Sequence, residues 1–124
     1  MPISYTIDKH RKLILTKVSG ILTDDELYHH KRSLMNDPQF EPGMRELSDV
    51  REIKELHVTS SGVWSMASID KEHAEKLQSF KLAIIASEDI VFGMARMYQS
   101  LTQPSLPQVN VFRNEEEAMK WLDY

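Results

Sequence analysis

Few residues in this sequence are spaced for chemistry, and the imidazoles come first. Asp25 with His29 and Glu26 with His30 stand four apart, the spacing of neighbours on a helix face. A metal ion wants three or four converging ligands, whereas successive His29 and His30 point about 100° apart on a helix, so the pattern suits surface pairing of acid with imidazole. His57 and His73 carry no partner motif. There is no Gly-x-Ser-x-Gly elbow, and Ser61-Gly62-Val63 brings neither a phosphate-loop lysine nor a dinucleotide fingerprint. These patterns imply no cofactor and no metal, and the expectation is a protein that is not an enzyme. An enzyme would need His57, Asp49 and a serine to meet in one wet cleft.

Two further groups are candidate binding residues. In Glu46-Leu47-Ser48-Asp49-Val50 an extended backbone puts Leu47 and Asp49 on one face, with Asp49 near the carboxyl end of the strand, where open α/β sheets place ligands. Asp49 needs a charge-assisted partner, and Arg51 or Arg96 can supply it. That pair is either purely structural or the polar anchor of a ligand. Phe92, Met94, Met97 and Tyr98 enrich one helix in adaptable apolar groups that suit either core or a pliable binding surface. With Ile90, Met94 and Met97 facing the sheet, Phe92 points elsewhere, toward solvent or a dimer contact. Asp49, Arg51, Phe92, Arg96 and Tyr98 are therefore the candidate ligand or partner contacts.

The elements that must position these residues alternate. Ile3–Ile7 and Lys12–Val18 read as an antiparallel hairpin, ended by Ser19-Gly20. Thr23 caps a helix with acids in its first turn and a stripe of Leu27, Tyr28, Leu34 and Met35, broken by Lys31, which is expected to snorkel to water. Met44–Val50 is the next strand. Thr59, Ser60 and Ser61 offer caps for a helix carrying Val63, Met66, Ala67, Ala74 and Leu77, with Asp70 expected to break or bend it. Lys81–Ala86 is a continuous apolar run, the mark of a strand covered on both faces and the expected central strand. Ile90, Met94, Met97, Tyr98 and Leu101 give the clearest helical stripe, stopped by Pro104 and Pro107. Val109–Phe112 is the last strand, and Asn114 caps the last helix. The order ββαβαβαβα predicts an α/β fold: a mixed, mostly parallel sheet of five strands with an N-terminal hairpin and four helices.

Composition bounds the rest. The chain has 124 residues, 41% of them hydrophobic, which supports one domain over 1–124 with a real core. Its 15 Lys and Arg against 19 Asp and Glu give a formal charge of −4, so nothing in the charge favours nucleic acid or anionic membrane. No apolar run approaches a membrane span, and the N-terminus lacks a leader pattern. With no cysteine, the fold needs no oxidising compartment, and the cytoplasm is the expected location.

The order of strands and helices, with Thr59-Ser60-Ser61-Gly62-Val63 after the middle strand, resembles the STAS domain of anti-sigma factor antagonists of the SpoIIAA type. There an Asp-Ser-Ser-Gly-Leu segment opens a helix and its first serine is phosphorylated by a partner kinase. The resemblance implies Ser60 as phosphoacceptor, with Ser61 as its neighbour, although Thr59 stands where the aspartate would be. Leu82–Ala86, Phe92–Gln99, Val109–Arg113 and Glu117–Leu122 are similar to a group of small bacterial SpoIIAA-like proteins, grouped near lipid-binding Sec14-type domains. Together these likenesses imply a non-enzymatic regulatory or protein-interaction module with a protein partner, a homodimer being one form of that partnership. The alternative they leave is a carrier or sensor of a small apolar or amphipathic ligand.

Overall fold

The structure, a computed structural model, describes residues 2–102 and 108–124; Pro104 and Pro107, expected to stop the third helix, lie outside the described residues. β1 (Ile3–Asp8) runs antiparallel to β2 (Leu13–Thr23), with Ile3 opposite Val18 and Asp8 opposite Leu13. β2 does not end at Gly20. That glycine takes φ +73°, open to it because it has no Cβ, and the register against the next strand shifts beside it, so the strand bends and continues.

The remaining elements are α1 (Asp24–Met35), β3 (Arg45–His57), α2 (Ser60–Glu72), β4 (Lys81–Ile85), α3 (Asp89–Thr102), β5 (Gln108–Phe112) and α4 (Glu115–Trp121). Thr23 and Asn114 cap α1 and α4 as expected, accepting hydrogen bonds from the amides of Glu26 and Glu117. The sheet order is β1-β2-β3-β4-β5, with every pair after the first parallel. β3 rather than β4 is therefore the middle strand. Any interior strand covered on both faces reads as a continuous apolar run, so that pattern marks β4 as interior without marking it as central.

Strands that advance in one direction through right-handed crossovers leave all their helices on one face. Accordingly α1, α2 and α3 lie side by side, and only α4, which follows the last strand, folds onto the opposite face against β4 and β5. The larger core includes Ile14, Val18, Leu82 and Ile84 from the sheet with Leu34, Val63, Met66 and Tyr98 from the helices. The smaller packs Leu13, Leu47, Ala83 and Ile85 against Ala118 of α4 and Leu122, which caps its end. Each fully buried aliphatic side chain of this kind is worth about 1.5–3 kcal/mol.

β3 is far longer than the expected Met44–Val50. Beyond Asp49 it has no β4 partner and pairs only with β2, as far as Thr23 opposite His57. The open edge carries Arg51, Glu52, Lys54 and Glu55, charges that discourage pairing with another strand. Val50, Ile53 and Leu56 turn inward toward the larger core. α2 ends at Glu72, so Ala74 is exposed in the following turn while Leu77 is buried there without being helical.

Candidate functional site

Three helices over four parallel strands do not close completely. Beneath them lies a cavity of about 130 Å³, walled by Val18, Leu56, Val63, Met66, Ile84 and Met94 among others. Its polar lining comes from Thr16 of β2, Glu46 and Ser48 of β3, His30 and Lys31 of α1, and Tyr98 of α3.

Those polar residues form two linked clusters. Lys31, 4% exposed, does not snorkel; its Nζ lies 2.9 Å from Oδ1 of Asp70 and donates to the Tyr98 hydroxyl at 3.3 Å. The Tyr98 hydroxyl in turn donates to Asp70 Oδ2. Asp70 is wholly buried and does not break α2; it stays helical because its charge is answered inside the protein. Burial opposes the ammonium of Lys31, but attraction from Asp70, Tyr98 and Glu46 outweighs it and holds the group charged, above its ordinary range. Burial, reinforced by Asp70, pushes the Tyr98 phenol up, so that it stays a donor.

In the second cluster Thr16 donates to Glu46 Oε2 at 2.6 Å, and His30 Nε2 lies 3.6 Å from the same oxygen. His30 thus turns inward to Glu46 rather than pairing with Glu26 on the surface. Burial works to raise the Glu46 carboxyl, yet contact with His30, the charge of Lys31 and the Thr16 hydroxyl together hold it below the ordinary carboxylate range. Tyr5 closes this end, its ring edge-on to His30 at 5.5 Å and its hydroxyl donating to Asp37 at 2.7 Å. Burial and that acceptor push the Tyr5 phenol up to about 12.

The structure brings only Tyr98 of the candidate contacts into this cavity. Asp49 shares its face of β3 with Leu47, on the α4 side of the sheet. Arg51 rather than Arg96 is its partner, in a two-pronged pair with Nε at 2.9 Å from Oδ1 and Nη2 at 2.8 Å from Oδ2. Hydrogen bonding from Arg51 holds the Asp49 carboxyl below its usual range despite partial burial. Arg96 is exposed on α3 and makes no ion pair among the described residues. Phe92 is half-buried, with the Arg113 guanidinium stacked 4.0 Å from its ring centre. The sheet-facing stripe of α3 starts one residue later than expected: Val91 is buried and Ile90 is 71% exposed.

His57 pairs with Glu55 in the open, eight residues along β3 from Asp49, roughly 26 Å in an extended strand. Among the described residues no group of three or more His, Asp or Glu side chains could hold a metal ion. Likewise no helix there is long and apolar enough to cross a membrane.

Ser60 and Ser61 are exposed in the first turn of α2, and Thr59 is its cap, accepting from the Gly62 amide at 3.0 Å. Asp24, the first residue of α1, reaches across and accepts hydrogen bonds from the Thr59 amide at 2.9 Å and hydroxyl at 2.6 Å. A Cβ on Gly62 would sit 1.9 Å from Asp24 Oδ1. The glycine is thus explained by a carboxylate seated on the positive end of the helix.

Glu46, Lys31 and Asp70 escaped the sequence reading, although two carried a signal. Lys31 stands four residues after Leu27 and four before Met35 in one apolar stripe, and Asp70 falls seven after Val63, in phase with Met66 and Ala67. An acid and a base each replacing an apolar residue on core-facing stripes are mutual candidates. Glu46 had only its alternation with Leu47, which assigns opposite faces but not which face holds a cavity.

The family model for SpoIIAA-like proteins matches residues 13–123. The chain belongs to the SpoIIAA-like family. Its fold is also that of an uncharacterised SpoIIAA-like protein from Shewanella loihica PV-4, with a TM-score of 0.59 and 18% identity over 97% of this chain and 93% of that one. An anti-sigma factor antagonist from Mycobacterium paratuberculosis matches with a TM-score of 0.59 at 10% identity, over 98% and 95% of the two chains. No curated protein matches significantly. Within this SpoIIAA-like domain the N-terminal hairpin, the parallel strands and the four helices are as the sequence predicts.

Proposed function

We propose that this SpoIIAA-like domain is a non-enzymatic sensor or carrier that takes a small apolar or amphipathic molecule into the space beneath α1, α2 and α3. The observation that carries the reading is the cavity itself, about 130 Å³ with almost wholly apolar walls and its polar groups gathered at one end. An apolar void of about 150 Å³ is known to stay dry and admit benzene. The pocket is partly open at its mouth, so a ligand can enter, and one that fills it makes dispersion contacts with the apolar walls.

The test is the stability of the protein with toluene. A ligand at free concentration L that binds only the folded protein stabilises it by RT ln(1 + L/Kd), about 2.7 kcal/mol at a hundredfold excess over Kd, and the melting temperature rises with the logarithm of toluene concentration. Ala95, on the cavity wall, is the site to fill: Ala95→Phe should abolish the toluene effect while leaving the fold intact. Native mass spectrometry of the freshly purified protein should show a copurified small molecule. No stabilisation by toluene, together with a bare mass, would remove the proposal.

A second reading, a regulatory module working through a protein partner, is favoured by the start of α2. Ser60 is open to a kinase, and a phosphate there would bring about −1.5 to −2 charges beside the Asp24 carboxylate seated on Thr59. Repulsion would unseat Asp24 and loosen α1 from α2, two of the walls of the cavity. Partner-dependent phosphate incorporation lost in Ser60→Ala and kept in Ser61→Ala supports it; incorporation unchanged by Ser60→Ala rejects it.

A further inference from the structure

The polar end of the cavity has an uneven charge. Lys31 is already engaged by Asp70 and Tyr98, a cation and an anion that answer each other. Glu46 is a second buried carboxylate with 4% of its side chain exposed, and what it receives goes to one oxygen. Thr16 donates to Oε2, and His30 stands 3.6 Å from that atom, beyond hydrogen-bonding range. Among the described residues no donor reaches Oε1. Two carboxylates thus stand against Lys31 before His30 is counted, at the end of a space whose other walls are apolar. Oε1 has no donor among the described residues and is not sealed off from the cavity, and a donor carrying positive charge would engage it more strongly than a neutral one.

We infer that the ligand of this cavity is a small primary amine with an apolar body, whose ammonium donates to Glu46 Oε1. Ser48 lines the cavity on the same face of β3, and its hydroxyl, which has no hydrogen-bond partner among the described residues, offers the ammonium a second acceptor. The walls leave room for a body of about benzene size. A carboxylate-headed ligand would add a third anion to the cluster and is disfavoured; an alcohol can donate to Oε1 but brings no charge.

This inference rests on the cavity reading above, and an isosteric series separates the two. Benzylamine, benzyl alcohol, toluene and benzoate share one ring and differ only at the head. Measured by calorimetric titration of the full chain at pH 7.5 and low salt, benzylamine should bind at least about tenfold tighter than benzyl alcohol or toluene, with benzoate weakest. Glu46→Gln should bring benzylamine to within about twofold of benzyl alcohol and leave toluene unchanged. Toluene binding as tightly as benzylamine, or a preference for the amine that survives Glu46→Gln, overturns the head-group inference and leaves the cavity reading standing. Failure of every probe, toluene included, overturns both. The wild-type series decides on its own should Glu46→Gln fold poorly.

Discussion

Glu46 and Asp49 stand three residues apart on one strand, and the sheet separates them. Glu46 turns toward α1 and α3, is shut away from water, and answers to a hydroxyl, an imidazole and a buried ammonium. Asp49 turns toward α4 at the rim and answers to Arg51 in a pair that solvent reaches from both sides. Both carboxyls are held below their usual range, yet for different reasons: a two-pronged guanidinium against modest desolvation at Asp49, an enclosed network against strong desolvation at Glu46. The same shift therefore accompanies a surface tie in one case and a cavity-lining charge in the other. Burial beside an unfilled space distinguishes them, and the direction of the shift does not.

The enclosed face should break first and hardest at the pair Lys31–Asp70. Lys31→Met leaves the Asp70 carboxylate buried without its counter-ion and should cost about 3–5 kcal/mol in urea unfolding. Lys31→Met combined with Asp70→Leu removes both charges and should return most of that loss. A double variant no more stable than the worse single would show that volume rather than charge governs the site.

Next in size is the seat of Asp24 on α2. Gly62→Ala drives a Cβ into Asp24 Oδ1, so the carboxylate must swing away and give up both bonds to Thr59, a loss of about 1–2 kcal/mol. In an Asp24→Ala background the collision is gone and alanine is the better helix former. The same change should then be neutral or stabilising by about 0.5–1 kcal/mol. A double-mutant cycle reads this directly, and additive costs would deny the contact.

Acid sharpens the contrast between the two carboxyls. Glu46 is depressed in the folded state, so the stability it contributes is present above the ordinary glutamate value of 4.5 and is lost as pH falls through its lower folded value. Glu46→Gln should flatten the acid limb of the stability curve below pH 4.5. If the slope there is unchanged, other carboxylates dominate acid unfolding.

How much of this was readable in advance follows from the physics of each feature. Thr23 and Asn114 declared α1 and α4 because a cap is a local contract between a side chain and an amide three residues on. The run around Ile84 declared an interior strand because both faces need apolar cover, and the crossover rule then placed three helices together. The site obeyed neither kind of rule. Lys31 and Asp70 satisfy each other across a helix–helix contact between residues 39 apart in the chain, so each looked like a defect in its own stripe. Ile90 misled for a related reason, since a stripe fixes the angular phase of a helix only to within about one residue. The length of β3 was hidden because its outer half is paired on one side only, and the charges that protect an open edge look like the charges of a loop.

The smallest effect expected is at Asp49, where it serves as the control for the whole comparison. Asp49→Asn keeps the shape and removes the charge from a pair whose arginine is more than a third exposed, so screening limits the cost to under about 1 kcal/mol. Its carboxyl lies across the sheet from the cavity, so probe affinity should not change at all, whereas Glu46→Gln should change it with the protein still folded. Both substitutions delete one negative charge from the same strand, which equalises any effect of overall charge on a cationic probe. A difference between them can only come from the face of β3 each residue occupies. If Asp49→Asn weakened benzylamine as much as Glu46→Gln did, the probe would be reading the general field of an acidic protein, and the assignment of the site to the enclosed face would fall.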